Sequence, residues 1–359
     1  MRILLVSNMY PSNKYPHYGI FVKNTADVLE KNGFKVSRVY MHKQDGKIAK
    51  LFAYMFFYLK TFIMYFISFP DVIYVHYASL SSLPVIIAEK IKKKKLVVNV
   101  HGNDLVPETN NDYKYIKYTK TILNIANQVI CPSEYFQEIL ISKYNIASRK
   151  VIVYPSGGVD TELFKKIDKK IACEKLNLPI DYDYIGYVGR IEHGKGWDLF
   201  LESCSIIIKN DNNFRLIVVG SGSEEELYNK KVNKLQLNNY IYKFSLLGHD
   251  KLKYAYNSLS LFMFLSSRKS ESLGLVGLEA MACETVAILP NKYGPTSYGI
   301  NDVNCYFFEV GNKESLNKTI RRALMKDNKI ISKNARLTAK KYDSNICSDI
   351  LINTFKDLY

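Results

Sequence analysis

Residues 259–265 read LSLFMFL, and residues 270–282 read SESLGLVGLEAMA. The first is an almost unbroken apolar run of strand length, the pattern of a strand buried on both faces. The second opens near an acid, Glu271, and passes Ser272, Gly274 and Leu275. It reaches a second acid, Glu279, among alanine and methionine, which favour helix. Strand, polar loop and helix start, in that order, predict an α/β unit with a parallel sheet. Such a junction aims backbone N–H groups and the positive end of a helix dipole at one spot, which suits an anion. Projected along a helix, Glu279 falls roughly 12 Å beyond Glu271 and about 80° around, on nearly the same side. Two acids beside an anion site serve a ligand that carries hydroxyl groups as well as phosphate. A nucleotide sugar is such a ligand.

Glu271, Glu279, most of the residues between them and the closing Glu-Ala-Met-Ala resemble the E-x7-E motif of family four retaining glycosyltransferases, of the type that builds bacterial surface polysaccharides. That family has the GT-B fold. The resemblance implies two Rossmann-like domains facing each other across a cleft, and it extends over the whole chain. Gly189-Arg190 followed by Lys195-Gly196 resembles the family's G-R-x4-K-G element. One guanidinium and one loop-held ammonium can neutralise a departing diphosphate. His101, in His101-Gly102-Asn103-Asp104, resembles the family histidine that contacts the donor sugar, and Asp104 falls where an acid is common. Gly19 stands where the family carries one or two glycines, and a residue without a side chain there lets the backbone approach a phosphate or the sugar. The resemblance further implies that Glu279 binds the nucleotide ribose, that Glu271 binds donor-sugar hydroxyls, and that the reaction needs no metal. No Asp-x-Asp that would hold one is present among the motifs.

The remaining composition is compatible with this. With 359 residues and 47% hydrophobic content, two domains with real cores are expected. Six scattered cysteines, with no C-x-x-C pair, read as small buried hydrophobes in a reducing compartment. The start, MRILLV, is too short an apolar run for a signal peptide and reads as a first strand, so the chain is expected in the cytoplasm. Net charge is +16, and through Lys165 lysine and arginine outnumber acids 22 to 12. Nucleic acid or anionic lipid could meet such a surface. No nucleic-acid-binding motif accompanies the charge, and codon bias toward lysine accounts for it equally well.

Along the chain, residues 2–7 read as a strand, 20–32 as a helix ended by Gly33, and 36–41 as a second strand. G-x-G-x-x-G is absent. Residues 51–69, LFAYMFFYLKTFIMYFISF, are long enough to span a bilayer. Lys60 at the centre and a strand-like PDVIYVH directly after it argue for a helix lying partly in the protein and partly against lipid. The dense aromatics are those of interface-seeking helices, although an ordinary packed helix accounts for them too. Lys92 to Lys95 form a basic run before the strand at 96–100. Residues 129–133 read as another strand, followed by a helix with Ser133 as its N-cap. VIVYPSGGVD, residues 151–160, resembles the family's hinge. A second Rossmann pattern follows, with a strand at 184–189, residues 214–222 (FRLIVVGSG) as a strand and a tight glycine turn, and the opening motif.

The expected organisation is residues 1–160 as an acceptor-binding domain and 161–341 as a nucleotide-sugar-binding domain, with 342–359 packing back on the first. The expected reacting-centre residues are His101, Arg190, Lys195 and Glu271. The expected donor-binding positions are Gly19, Gly189, Gly220, Ser272, Gly274, Leu275 and Glu279. The expected activity is retaining transfer from a UDP- or GDP-sugar to a glycan or polyprenyl-linked acceptor, peripherally on the inner face of the cell membrane, with no cofactor and no nucleic-acid partner. A sugar-nucleotide epimerase of the same fold, or an idle binding module, are the alternatives. Two departures from the family stand out. Glu284 replaces a glycine after the helix, and Tyr298 stands where an acid is common, which bears on the donor.

Overall fold

The computed structural model describes residues 1–358, which divide into two compact units: Met1–Gly157 with residues 346–358, and Gly158–Asn345. The first unit's strands are Arg2–Tyr10 (β1), Lys35–His42 (β2), Val72–His76 (β3), Lys95–Asn99 (β4), Gln128–Cys131 (β5) and Val151–Val153 (β6). They form one parallel sheet in the order β2-β1-β3-β4-β5-β6. Helices Ile20–Lys31 (α1), Lys47–Ile67 (α2), Leu83–Ile91 (α3), Asn110–Ile125 (α4) and Glu134–Ser142 (α5) connect them. Parallel strands need such crossovers, and with helices on both faces the strands become continuous apolar runs such as Ile3-Leu4-Leu5-Val6, all buried.

In the second unit, Asp183–Val188 (β7), Phe214–Val219 (β8), Ile241–Phe244 (β9), Leu259–Met263 (β10), Ala287–Pro290 (β11) and Tyr306–Phe308 (β12) pair in the order β12-β11-β10-β7-β8-β9. Its helices are Lys169–Lys175 (α6), Trp197–Asn210 (α7), Glu225–Lys234 (α8), His249–Ser258 (α9), Leu275–Ala282 (α10), Lys313–Met325 (α11) and Lys329–Lys341 (α12). One apolar layer, with Phe200, Val218 and Leu316, lies on one face. Another, with Tyr256, Phe262 and Met281, lies on the other. The last helix, Ser344–Lys356 (α13), contributes Cys347, Leu351 and Phe355 to the first unit's core beside Ile3, Leu5 and Tyr74.

In both sheets the direction of strand addition reverses once, between β1 and β3 and between β7 and β10. Ligands of open α/β sheets bind at the strand carboxyl ends beside such a reversal. Arg190, Lys195 and Glu271 lie in the loops there in the second unit, and Gly19 lies in the loop after β1 in the first, with His101 one strand further over, after β4. All six cysteines are buried and free.

α2 is long and apolar enough to cross a membrane by length and composition. Its Phe57, Thr61 and Tyr65 are nonetheless buried in the first unit, and Phe57 and Tyr65 belong to that unit's core. The Tyr65 hydroxyl lies 2.8 Å from the Lys92 carbonyl oxygen and reaches the Glu89 carboxylate. The outer side is apolar too. Leu51, Phe52, Met55, Phe56, Leu59 and Ile63 are between 43% and 68% exposed. Ile87 and Ile91 of the neighbouring α3 are exposed as well.

Candidate active site

In the second unit, the β7–α7 loop carries Gly189, Arg190 and Lys195. The Tyr187 hydroxyl reaches the Arg190 carbonyl (3.0 Å) and the Lys195 carbonyl (3.3 Å), so one buried side chain pins both ends of the loop. Gly196, at φ +79°, caps α7 against the Leu265 backbone, where any Cβ would collide. This contact brings the β7 loop against the β10 loop, and Ser267 N donates to Gly194 O at 2.9 Å. The result is an ion pair: Lys195 Nζ lies 2.6 Å from Glu271 Oε2, with only 16% and 12% of the two side chains exposed. Ser266 Oγ donates to the same Glu271 oxygen at 2.7 Å. Burial alone raises the Glu271 carboxyl. The charge and hydrogen bond of Lys195, the Ser266 hydroxyl and the Arg268 charge outweigh it, so the group stands below the ordinary glutamate range.

Arg190 is placed differently. Its guanidinium is 60% exposed and pairs with Glu192 at 2.7 Å. Gly220 ends β8 beside Gly189, whose carbonyl oxygen leaves no room for a Cβ there. Ser272 is half-buried in the β10–α10 loop.

Helix α10 begins at Leu275, with Gly274 as its N-cap at φ +82°. That corrects the helical projection from Glu271 to Glu279. Glu271 lies in the loop before the helix, so Glu279 is one turn into α10 rather than two turns beyond its partner. No side-chain hydrogen bond caps α10, and no acid occupies its first turn. Glu279 is buried. Tyr256 of α9 donates to its Oε2 at 2.8 Å. Burial raises the Glu279 carboxyl, and the Tyr256 hydrogen bond and the His249 charge offset this only in part.

Tyr298 is buried, and its hydroxyl donates to Gly274 O at 3.0 Å. A Cβ on Gly277 would collide with that hydroxyl. Where an acid is common, this chain therefore has a strut beneath the α10 N-terminus. Glu284 takes φ +60° just past α10, with its N–H on Met281 O at 3.0 Å. It keeps the left-handed turn that a glycine would otherwise make.

In the first unit, Gly19 has φ +72°, and a Cβ would lie 2.6 Å from the Met9 carbonyl carbon. Only glycine lets α1 start that close to the end of β1. Phe21 of α1 then packs on His101, ring centroids 4.3 Å apart. Asp104 is buried and accepts from Ala78 N (2.8 Å), His101 N (3.0 Å) and Gly102 N (2.8 Å), stitching the loop after β3 to the loop after β4. His76, the last residue of β3, places Nδ1 3.0 Å from His101 Nε2.

The structure thus brings together Lys195, Glu271, Ser266 and the start of α10 in one unit. It brings together Gly19, His101 and Asp104 in the other. Sequence reasoning passed over His76, although it ends an apolar strand just as His101 follows one. Tyr256, Ser266 and Tyr187 carry no such signal, because their partners are remote in sequence.

Two parallel sheets with helices around them, and these motifs at the carboxyl ends of their strands, define a protein of GT-B fold. The family profile described as "Glycosyl transferases group 1" matches residues 168–342, and that described as "Glycosyltransferase Family 4" matches residues 19–163. The chain belongs to these glycosyltransferases. It is 26% identical over 267 residues to the capsular polysaccharide biosynthesis glycosyltransferase CapM of Staphylococcus aureus, covering 70% of this chain and 67% of that one. Among solved structures, sucrose-phosphate synthase from Thermosynechococcus elongatus superposes with a TM-score of 0.81 at 19% identity, over 99% of this chain and 98% of the other. HepE of Anabaena, in complex with UDP and glucose, gives 0.77 at 17%, over 99% and 100%.

Proposed function

We propose that this glycosyltransferase moves a sugar from a UDP- or GDP-linked donor to a glycan or polyprenyl-linked acceptor in the assembly of a cell-surface polysaccharide. In this reading it retains the anomeric configuration, needs no metal, and works on the inner face of the cell membrane.

The observation that carries the reading is the mostly buried Lys195–Glu271 pair at the sheet reversal. Breaking a sugar–diphosphate bond leaves negative charge on the departing phosphate and positive charge on the sugar. An ammonium has three N–H donors. Glu271 takes one, which leaves Lys195 able to donate to a phosphate oxygen while its carboxylate partner accepts from sugar hydroxyls. Arg190 adds donors that Glu192 does not occupy, and the uncapped α10 start at Gly274 and Leu275 adds backbone N–H groups. Tyr256 holds one oxygen of Glu279, so the other is the one to take ribose hydroxyls. Those donors favour the anion that burial disfavours. The acceptor hydroxyl then attacks from the face the diphosphate leaves, and its proton passes to a departing phosphate oxygen. CapM, named for capsular polysaccharide biosynthesis, supports the cell-surface role.

The exposed apolar side of α2 supports the membrane part. Lys47, Lys50 and Lys60 on that helix, with Lys90, Lys92 and Lys93 nearby, are all exposed. Apolar and aromatic side chains beside positive charge match an anionic bilayer surface.

The test is a panel of nucleotide sugars, each with and without a membrane lipid extract. Nucleoside diphosphate release is measured, and the anomeric configuration of the product is read by proton NMR. Release from one donor, stimulated by lipid, is expected. No release from any donor with lipid present refutes the transfer reading, and an inverted product refutes retention.

A further inference from the structure

The first unit holds a histidine pair. His76 is fully buried at the end of β3, and His101 follows β4, the strand next to it. Their facing nitrogens are 3.0 Å apart, and the rings are within 10° of parallel. The ring centroids are 5.2 Å apart, about what the nitrogen–nitrogen contact plus the radii of two rings add up to. The contact therefore runs along the line of centres, in the ring planes. This is a straight N–H···N hydrogen bond, the geometry such bonds prefer, and not a face-to-face stack.

One of the two nitrogens must donate, and the choice sets both tautomers, because a neutral imidazole has one N–H and one bare nitrogen. Burial pushes both rings toward neutrality, His76 well below the ordinary histidine range and His101 down to about 3. Nothing among the described residues hydrogen-bonds the other nitrogen of His76, Nε2. If His101 donated, that Nε2 would carry a buried N–H with no acceptor. If His76 donates from Nδ1, its Nε2 is a bare acceptor instead. Orphaned buried N–H groups are the rarer of the two in folded proteins. His76 is therefore the donor. His101, accepting at Nε2, must carry its proton on Nδ1.

We propose that His76 is a positioning residue that locks His101 in the Nδ1–H form, so that this ring presents a fixed N–H donor to a substrate oxygen. The assignment rests on the transfer reading for what His101 touches, but not for the tautomer itself. Phe21 against one side of the His101 ring and the Asp104 stitch between the two loops hold the ring in register. Water favours no such lock. In a free loop the imidazole would exchange its proton between the two nitrogens.

The experiment has two arms on the full chain. Nitrogen-15 NMR of the histidine rings, assigned with His101→Asn and His76→Asn, reads the tautomer in the ligand-free protein. We expect His101 with a protonated Nδ1, and in His76→Phe, which keeps an aromatic ring but not the donor, we expect that signature to be lost. Turnover is measured on the same proteins. Removing a partner that orients a reacting ring should lower kcat by about tenfold or more, with the donor KM little changed, and His76→Asn, which keeps an N–H close to the Nδ1 position, should restore most of it. A wild-type His101 protonated on Nε2 overturns the proposal, and so does full kcat in His76→Phe. A wild type that turns over no nucleotide sugar refutes the transfer reading, and the ring-nitrogen arm then decides the histidine pair by itself.

Discussion

Lys195 is both a candidate for the departing diphosphate and half of a mostly buried ion pair, and its substitution has to be read in both capacities. Removing one partner of a buried pair strands the other charge and costs about 3–5 kcal/mol, whereas replacing both is far milder. Lys195→Met should therefore unfold at markedly lower denaturant than wild type, and Lys195→Met with Glu271→Gln should recover most of that stability. Turnover should stay at least about a hundredfold down in both, the scale of losing one transition-state donor. Activity that returns with stability in the double variant would reduce the pair to a structural role. Arg190→Ala offers the cleaner comparison, since its side chain is largely exposed. It should lose turnover on the same scale with little change in melting. Glu279 obeys the opposite sign from Glu271. Burial raises its carboxyl, so the folded state binds that proton more tightly than the unfolded one. Its contribution is most favourable below the ordinary glutamate range and declines as pH rises from there to the folded value. The contribution of Glu271, whose carboxyl is lowered, is present above the ordinary range and is lost as pH falls through the folded value. Glu279→Gln should accordingly raise the melting temperature relative to wild type at neutral pH but not at acid pH. It should also weaken donor binding by about tenfold, or 1.4 kcal/mol. Melts at both pH values and donor titration check the two halves. A variant that is destabilised at neutral pH contradicts the first.

At the scale of the element, α10 shows how a helix end adapts. Gly274 starts it in a left-handed conformation, and Glu284 follows it in another. The second costs a non-glycine residue about 1–2 kcal/mol. Glycine at that position gives back part of the gain through its freer unfolded chain. Glu284→Gly should therefore stabilise the protein by about 0.5–1 kcal/mol, visible as an upward shift of the urea midpoint at unchanged slope. A lower midpoint would mean that the Glu284 side chain makes a contact worth more than the strain. α2 illustrates the reverse case, in which the element and its two-sidedness were foreseen but not which residues form each side. Its apolar residues go nearly all the way round, so periodicity could not say which side is buried. The sheet decided it, by taking Phe57, Thr61 and Tyr65 and leaving Phe52, Met55, Phe56 and Leu59 outside.

At the scale of the whole molecule, that outer side and the lysines around it predict how the chain meets a membrane. Each lysine close to an anionic bilayer contributes about 1 kcal/mol, and this share fades as salt shortens the Debye length. The apolar share does not fade. Sedimentation with anionic vesicles should show binding that high salt weakens but does not abolish. Phe52→Ser with Phe56→Ser should remove the salt-resistant part, and charge reversal at Lys92, Lys93 and Lys95 the salt-sensitive part. No binding at low salt contradicts the proposal, and resistance to alkaline extraction from membranes would indicate a spanning helix instead. The sequence by itself determined that the chain is built of parallel α/β units, and where in it the candidate site motifs fall, because both are written locally. Short apolar runs such as Ile3 to Val6, each closed by turn residues, read as strands covered on both faces, and Gly189-Arg190, Lys195-Gly196 and Glu271 follow such strands in the loops, with Glu279 in the helix that comes next. It did not determine who pairs with whom. That Lys195 closes on Glu271 and Ser266, that Tyr256 holds Glu279, that Tyr298 props the start of α10 and that His76 lies in plane with His101 all depend on strand order. Strand order is set by the packing of helices on both faces of a sheet. Residues 76 positions apart in the chain, as Lys195 and Glu271 are, meet only because β7 and β10 lie side by side.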